Sequence, residues 1–153
     1  MINEKIIKHF LNSEPDLIVP VKNITMVFAE NSLLHAMLIL KESNYTQIPV
    51  LDYDNKFVGL ISLHQIYKSL DEDTFKNFDK LSDYKVKDHI DMHFAKVYDD
   101  FELEDILKLL IDYNFVTIVD KDEKYKGMIT RSTILKKTNS LLHNFDKILN
   151  IEF

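Results

Sequence analysis

One arginine, Arg131, stands among nineteen cationic side chains, and it directly follows Thr130. A guanidinium is a planar fork of donors that matches phosphate oxygens. The apolar spacing that begins here predicts a helix, so Arg131 sits at a helix start. Free backbone amides and the positive end of the helix dipole favour an anion at that place. Thr130 and Ser132 flank it with hydroxyls. The competing reading of Arg131 is a surface or interface ion pair. Ser62 holds the position equivalent to Thr130 and reads first as a helix cap.

Other constellations carry less. His89 and His93 are four apart in HIDMH, but the acid lies two positions after His89 rather than one, so this is not HExxH. A solvated helix face is the expectation. Asp52 and Asp54 imitate the start of a calcium loop, yet Phe57 occupies position 6 and Leu63 position 12, where glycine and glutamate are needed. A hairpin turn is expected instead. There is no cysteine, which excludes disulfides, thiolate catalysis and cysteine zinc sites. The only glycines are Gly59 and Gly127, too far apart for GxGxxG or a Walker A loop. No catalytic residues and no metal ligands are assigned. A small metal-dependent hydrolase remains the weakest alternative.

The net charge of −6 speaks against broad nucleic-acid binding, which needs a basic face. No run approaches 18 apolar residues, so no membrane span is expected. In the opening MINEKIIKHFLNSEP, Lys8 and His9 interrupt the apolar residues, which suits a short amphipathic helix and not a secretory signal. A cytoplasmic location is the expectation.

The elements that must position Arg131 come from an internal repeat. DYDNKFVGLIS (residues 52–62) aligns with DKDEKYKGMIT (residues 120–130) at an offset of 68. Leu33, Ala36, Met37 and Leu40 align with Leu103, Ile106, Leu107 and Leu110 at an offset of 70, as does Asn44-Tyr45 with Asn114-Phe115. The second copy is therefore shorter by two residues, placed between its strand and its turn. Each copy reads β-α-β-β-α. The first strands are expected at residues 24–28 and 94–98. The first helices take Asn31 or Ser32, and Asp99 or Asp100, as N-caps. Two hairpin strands follow. The last helices begin near Leu63 and Arg131, the latter running unbroken to Leu149. Its Ile134, Leu135, Leu141, Leu142, Phe145, Ile148 and Leu149 exceed what one small unit buries. The expected fold is α/β, divided as a helix at 1–16, copies at 17–70 and 86–140, a linker at 71–85 and a helix end at 141–153. Phe75, Phe78 and Leu81 are expected to pin the linker to the core.

A tandem β-α-β-β-α unit with IPVLD (residues 48–52) and GLIS (residues 59–62) resembles the CBS domain over roughly residues 17–140. NYTQIPVLD and YKGMITRSTILKKTN resemble more narrowly the stand-alone CBS receptors for cyclic di-AMP of Gram-positive bacteria (CbpB/DarB type). The resemblance implies a tandem CBS pair sharing a cleft, and a non-enzymatic regulator that binds cyclic di-AMP there without a cofactor. It implies a homodimer whose ligand-free form contacts a partner enzyme. In that family the partner is the bifunctional (p)ppGpp synthetase/hydrolase of the stringent response, and in some members pyruvate carboxylase. Asn23, Ile24, Thr25, Tyr45, Thr46, Gln47, Ile48 and Pro49 are the expected base-recognition residues, with Thr130, Arg131 and Ser132 for phosphate. AMP or ATP is the alternative ligand. Many AMP and ATP sites in the family place an aspartate three residues after the Ser/Thr; Gln65 and Thr133 stand there. Relatives carry a second basic residue where Ser132 stands, and a lysine where Asn23 stands beside Lys22.

Overall fold

The computed structural model describes residues 1–149, with side chains to Lys147. Ile148 and Leu149, expected among the apolar residues of the last helix, have side chains outside that set. The elements run α1 (Glu4–Asn12), β1 (Val19–Pro20), a 3-10 turn (Val21–Asn23), β2 (Val27–Phe28), α2 (Leu33–Glu42), β3 (Gln47–Leu51), β4 (Phe57–Ser62) and α3 (Leu63–Ser69). Then come α4 (Glu72–Lys76), two 3-10 turns (Phe78–Asp83, Val86–His89), β5 (Ala95–Tyr98), α5 (Leu103–Asp112), β6 (Phe115–Val119), β7 (Tyr125–Thr130), α6 (Arg131–His143) and α7 (Phe145–Leu149). The predicted β-α-β-β-α order appears twice.

The chain forms two compact units, one comprising Thr25–Phe94 with Lys121–Tyr125. Its sheet has the order β2-β3-β4. β2 runs parallel to β3, and β3 antiparallel to β4. Ser32 caps α2 by accepting from the His35 amide. The i, i+3, i+7 residues Leu33, Ala36 and Leu40 are then buried with Ile48, Val50, Ile61 and Ile66. Leu81 of the expected linker joins this core, as does Val86 at the start of the expected second copy. Phe75 and Phe78 do not, at 55% and 39% exposed. The expected spacing fails because Asn77 is extended (φ −134°, ψ 90°) and breaks the helical phase between Phe75 and Leu81.

The other unit comprises Met1–Ile24, Ala95–Asp120 and the chain from Lys126 onward. Its sheet has the order β1-β7-β6-β5, with β5 parallel to β6 and β1 antiparallel to β7. Leu103, Ile106 and Leu110 of α5 pack with Val116, Ile118, Ile129, Ile134, Leu141, Phe10 and Leu17. The predicted amphipathic helix at the start is α1. Neither Asp99 nor Asp100 caps α5; its N-cap is Glu102, without a side-chain bond. The expected unbroken last helix is two helices. Asn144 leaves helical geometry, and its Nδ2 donates to the Ser140 carbonyl, competing with the helix's own ladder. The first strands are also shorter than expected. Val21–Asn23 is a 3-10 turn that Ile24 closes by donating to the Val21 carbonyl, so β2 starts only at Val27.

The sheet registers relocate the two-residue difference between copies. Val27 pairs with Val50, and its counterpart Val97 with Ile118. Strands β3 and β6 are equally long, and so are the turns after them. The extra residues of the first copy lie before β3, in the loop that carries Tyr45. Pro49 therefore corresponds to Thr117.

Each copy's hairpin strand receives the leading segment of the other copy. Val19 and Pro20 pair with Met128 and Gly127. Leu60 and Asp91 exchange both backbone bonds, at 3.1 and 2.8 Å. Gly127 (φ 144°) lets the Val19 carbonyl approach so closely that a β-carbon would occupy its space, with Ile18 Cγ2 2.8 Å away. Gly59 (φ 155°) meets the Ile90 side chain in the same way, with the Asp91 carbonyl oxygen at 3.2 Å. A backbone cannot yield as a side-chain tip can. Gly127→Ala should cost about 2 kcal/mol or more in urea unfolding. Gly59→Ala should couple to Ile90→Ala by about 1 kcal/mol of relief in a double-mutant cycle. Ile18→Ala should give Gly127→Ala little relief, because the Val19 carbonyl remains.

The helix α1 is fastened to α6 through a lysine. Lys137 is fully buried, and its Nζ donates to the Ser13 carbonyl at 2.7 Å and to Ser13 Oγ at 3.1 Å. His9 Nε2 donates to the Lys137 carbonyl at 3.0 Å. Burial lowers the Lys137 pKa below the ordinary 10.5, against the opposing pull of Glu14 and Asp16. The folded chain thus holds this proton less tightly than the unfolded chain. Stability gains from this group as pH climbs toward 10.5. The rise in urea midpoint between pH 7 and pH 10 should shrink in Lys137→Met; an unchanged rise would show that Lys137 is not its source.

Candidate functional site

Thr130, Arg131 and Ser132, expected to meet phosphate, stand together at the start of α6. Thr130 is its N-cap: Oγ1 accepts from the Thr133 amide at 3.1 Å and donates to Thr133 Oγ1 at 3.0 Å. Thr133 is thereby turned inward, 8% exposed. The Arg131 amide donates to the Asn114 carbonyl at 2.9 Å. Of the first three amides of α6, that of Ser132 is left without a cap partner among the described residues. Ser132 itself is exposed.

Arg131 has a structural occupation that was not anticipated. Its Nε donates to the Leu110 carbonyl at 3.0 Å. Its Nη2 donates to the carbonyls of Ile111 at 3.3 Å and Tyr113 at 3.1 Å. The guanidinium thus closes the C-terminal end of α5, where carbonyls and the negative dipole end favour a cation. It does not sit in the ion pair considered as its alternative. The signal was present in the sequence: the last turn of α5 has no basic residue, whereas that of α2 has Lys41. Two donors on Nη1 remain beyond these three bonds.

The other expected residues divide between the units. Asn23 and Ile24 belong with the α6 unit, and Thr25 and residues 45–49 with the other. The antiparallel pairing of Pro20 with Gly127 directs the chain after β1 away from the Thr130 end of β7. In the first-copy unit, Gln47 lies opposite Ser62, so Gln47, the loop before it and the start of α3 share one end of that sheet. There Tyr45 is 57% exposed, and Thr46 is also exposed. Gln47 Nε2 donates to Asp91 Oδ2 at 3.4 Å. Ile48, 1% exposed, packs in the core and Pro49 is buried beside Leu60. Ser62 is 7% exposed and its Oγ accepts from the Gln65 amide at 3.0 Å, the cap expected of it.

The remaining polar clusters do not assemble chemistry. His93 is not on a helix with His89, since the 3-10 turn ends at His89, so the expected solvated helix face does not form. His89 Nδ1 lies 2.7 Å from Ser69 Oγ, but that hydroxyl donates to the Ile66 carbonyl at 2.9 Å. The imidazole is therefore the donor, the reverse of nucleophile activation. Asp52 Oδ1 accepts from the amides of Asp54 and Lys56, closing the expected hairpin turn. Among the described residues no group of three or more metal-ligating side chains occurs, and no helix is long and apolar enough to cross a membrane.

A sequence model of the CBS domain matches residues 16–72 and again residues 86–139. Cyclic di-AMP receptor B of Bacillus subtilis (strain 168) is 27% identical over 117 residues, which are 76% of this chain and 80% of that protein. The crystal structure of the Listeria monocytogenes CbpB protein in complex with c-di-AMP is 35% identical, with a TM-score of 0.74 over 82% of this chain and 94% of its own. CbpB from Streptococcus agalactiae shares the fold, with a TM-score of 0.83 at 23% identity over 95% of this chain and 92% of its own.

Arg131 donates to three carbonyls at the end of α5. Arg131→Ala should therefore lower the stability of the ligand-free chain by about 1–3 kcal/mol in urea unfolding. A ligand-free stability unchanged by Arg131→Ala would show that the three carbonyl contacts contribute nothing.

Proposed function

We propose that this chain, which belongs to the CBS domain family and carries two copies of its unit, is a non-enzymatic regulator that binds cyclic di-AMP. The observation that carries the reading is the 35% identity, over most of both chains, to a CbpB protein crystallised with that ligand. The likeness to cyclic di-AMP receptor B points the same way. The chemistry at the start of α6 agrees with it. The Ser132 amide, the two spare Nη1 donors of Arg131 and the helix dipole together suit a phosphodiester. Base recognition falls to residues 23–25 and 45–49, of which Tyr45 and Thr46 are exposed; backbone donors and acceptors beside apolar surface suit an adenine edge. AMP and ATP are disfavoured. Neither Gln65 nor Thr133 supplies a carboxylate for ribose hydroxyls, and Thr133 is committed to the cap. A cyclic dinucleotide has its 3′ oxygen esterified and needs that acid less.

The wider reading rests on the family resemblance. The chain acts as a cytoplasmic homodimer, and its ligand-free form engages the (p)ppGpp synthetase/hydrolase. The ligand regulates only if it binds the partner-competent and partner-blocked states with unequal affinity.

Because Arg131 also holds α5, Arg131→Ala confounds binding with folding. Ser132→Asp separates them. A carboxylate in the first turn of a helix stabilises it by about 0.3–1 kcal/mol, yet it opposes an incoming phosphate. At a hundredfold excess over Kd, cyclic di-AMP should stabilise the wild type by about 2.7 kcal/mol, a rise in Tm of roughly 5–10 °C for a chain this size. Ser132→Asp should keep the ligand-free Tm and lose affinity at least tenfold. A panel in which AMP or ATP shifts Tm and cyclic di-AMP does not would overturn the reading.

A further inference from the structure

Residues 71–89 fold onto the first-copy unit instead of running past it. Leu81 and Val86 are fully buried there and Thr74 nearly so. Asp71 caps α4 by accepting from the Thr74 amide at 2.7 Å, and Asn77 caps the next turn through the Asp79 amide. This ordered scaffold holds three aromatic rings outward. Tyr67 of α3, Phe75 of α4 and Phe78 are 44%, 55% and 39% exposed. Each ring neighbours both others, with centroids 6.2, 6.4 and 6.1 Å apart. A triangle of half-exposed rings on a rigid support is the kind of surface that anchors a partner.

Area and charge narrow the occupant. The rings leave open roughly 300 Å², well short of the ~800 Å² per partner of a stable dimer and suited to a short helix laid across them. The rim is acidic. Asp71, Glu72, Asp73, Asp79 and Asp83 outnumber Lys68, Lys76 and Lys80. Two of those lysines are already paired, Lys76 with Glu72 at 3.1 Å and Lys80 with Asp73 at 3.4 Å. A second copy in two-fold contact would set this rim against itself. We infer that Tyr67, Phe75 and Phe78 form a docking surface for a basic amphipathic helix of a partner protein. Such a helix has leucine or aromatic side chains on one face and lysine or arginine on the other. The inference takes from the regulatory reading only that a partner exists.

The test uses the full chain and a fluorescent amphipathic helical peptide of leucine and lysine, about 18 residues long. The same peptide with glutamate for lysine is the control. Anisotropy should show binding of the lysine peptide and not of the glutamate peptide. Phe75→Ser with Phe78→Ser should weaken binding at least tenfold, and Asp79→Lys with Asp83→Lys, confined to the rim, should weaken it several-fold. Undiminished binding by both variants would reveal general attraction to an acidic chain and overturn the inference. So would sedimentation showing a wild-type dimer that the Phe75→Ser, Phe78→Ser variant dissociates, since a second copy would then cover the rings. The cyclic di-AMP thermal shift should be equal in wild type and variants. A wild type that binds the peptide but ignores cyclic di-AMP sinks the ligand reading alone.

Discussion

In each sheet a glycine lets a segment from outside its own repeat approach closely. At Gly127 the neighbour is the Val19 carbonyl, and at Gly59 it is Ile90 and Asp91. These contacts decide which sheet each leading segment joins. Through Gly127, residues 19 and 20 become the edge of the β7 sheet and belong to the unit of the second copy, although they lie at the start of the first. The burial of Leu17, the docking of α1 and the Lys137 bonds to Ser13 all follow from that placement. A chain with only two glycines has spent both on this one device.

The repeat made most of the fold legible. Apolar spacing located both long helices, and the paired GLIS and GMIT turns located the hairpins. What failed did so where one residue overrode a pattern. Asn77 broke the phase that should have buried Phe75 and Phe78. Asn144 split a helix whose apolar spacing ran on. The two-residue difference was misplaced because alignment of side-chain types tolerates a gap on either side of a short strand. Hydrogen-bond register does not, since a slip would turn every side chain to the other face.

The candidate site was legible in part. Arg131 stood out by composition and position, and the cap role of Ser62 by its place before a helix. The bonds from Arg131 to α5 lie between residues about twenty apart, which no local motif reports. They were implied only by something lacking, a cation in the last turn of α5. Thr133 was read as a missing acid. Its hydroxyl and amide instead bond to Thr130 Oγ1 at the cap of α6.

Differences between the copies are more informative than their common plan, because a duplicated unit starts with equal residues at equal places. Core positions such as Leu33 and Leu103, or Val50 and Ile118, are apolar in both. The positions that diverged are Leu63 against Arg131, Pro49 against Thr117, and the longer loop around Tyr45 against the short one at Asn114. Thr117 is fully buried, and its hydroxyl has no partner among the described residues. An unmade hydrogen bond of this kind costs about 1–3 kcal/mol, which proline at the matching position of the first copy avoids. Arg131 does the opposite for its copy, supplying three bonds to a helix end that has no cation of its own. The second copy thus depends on the same residue for its own integrity and for the charge that an anion would meet.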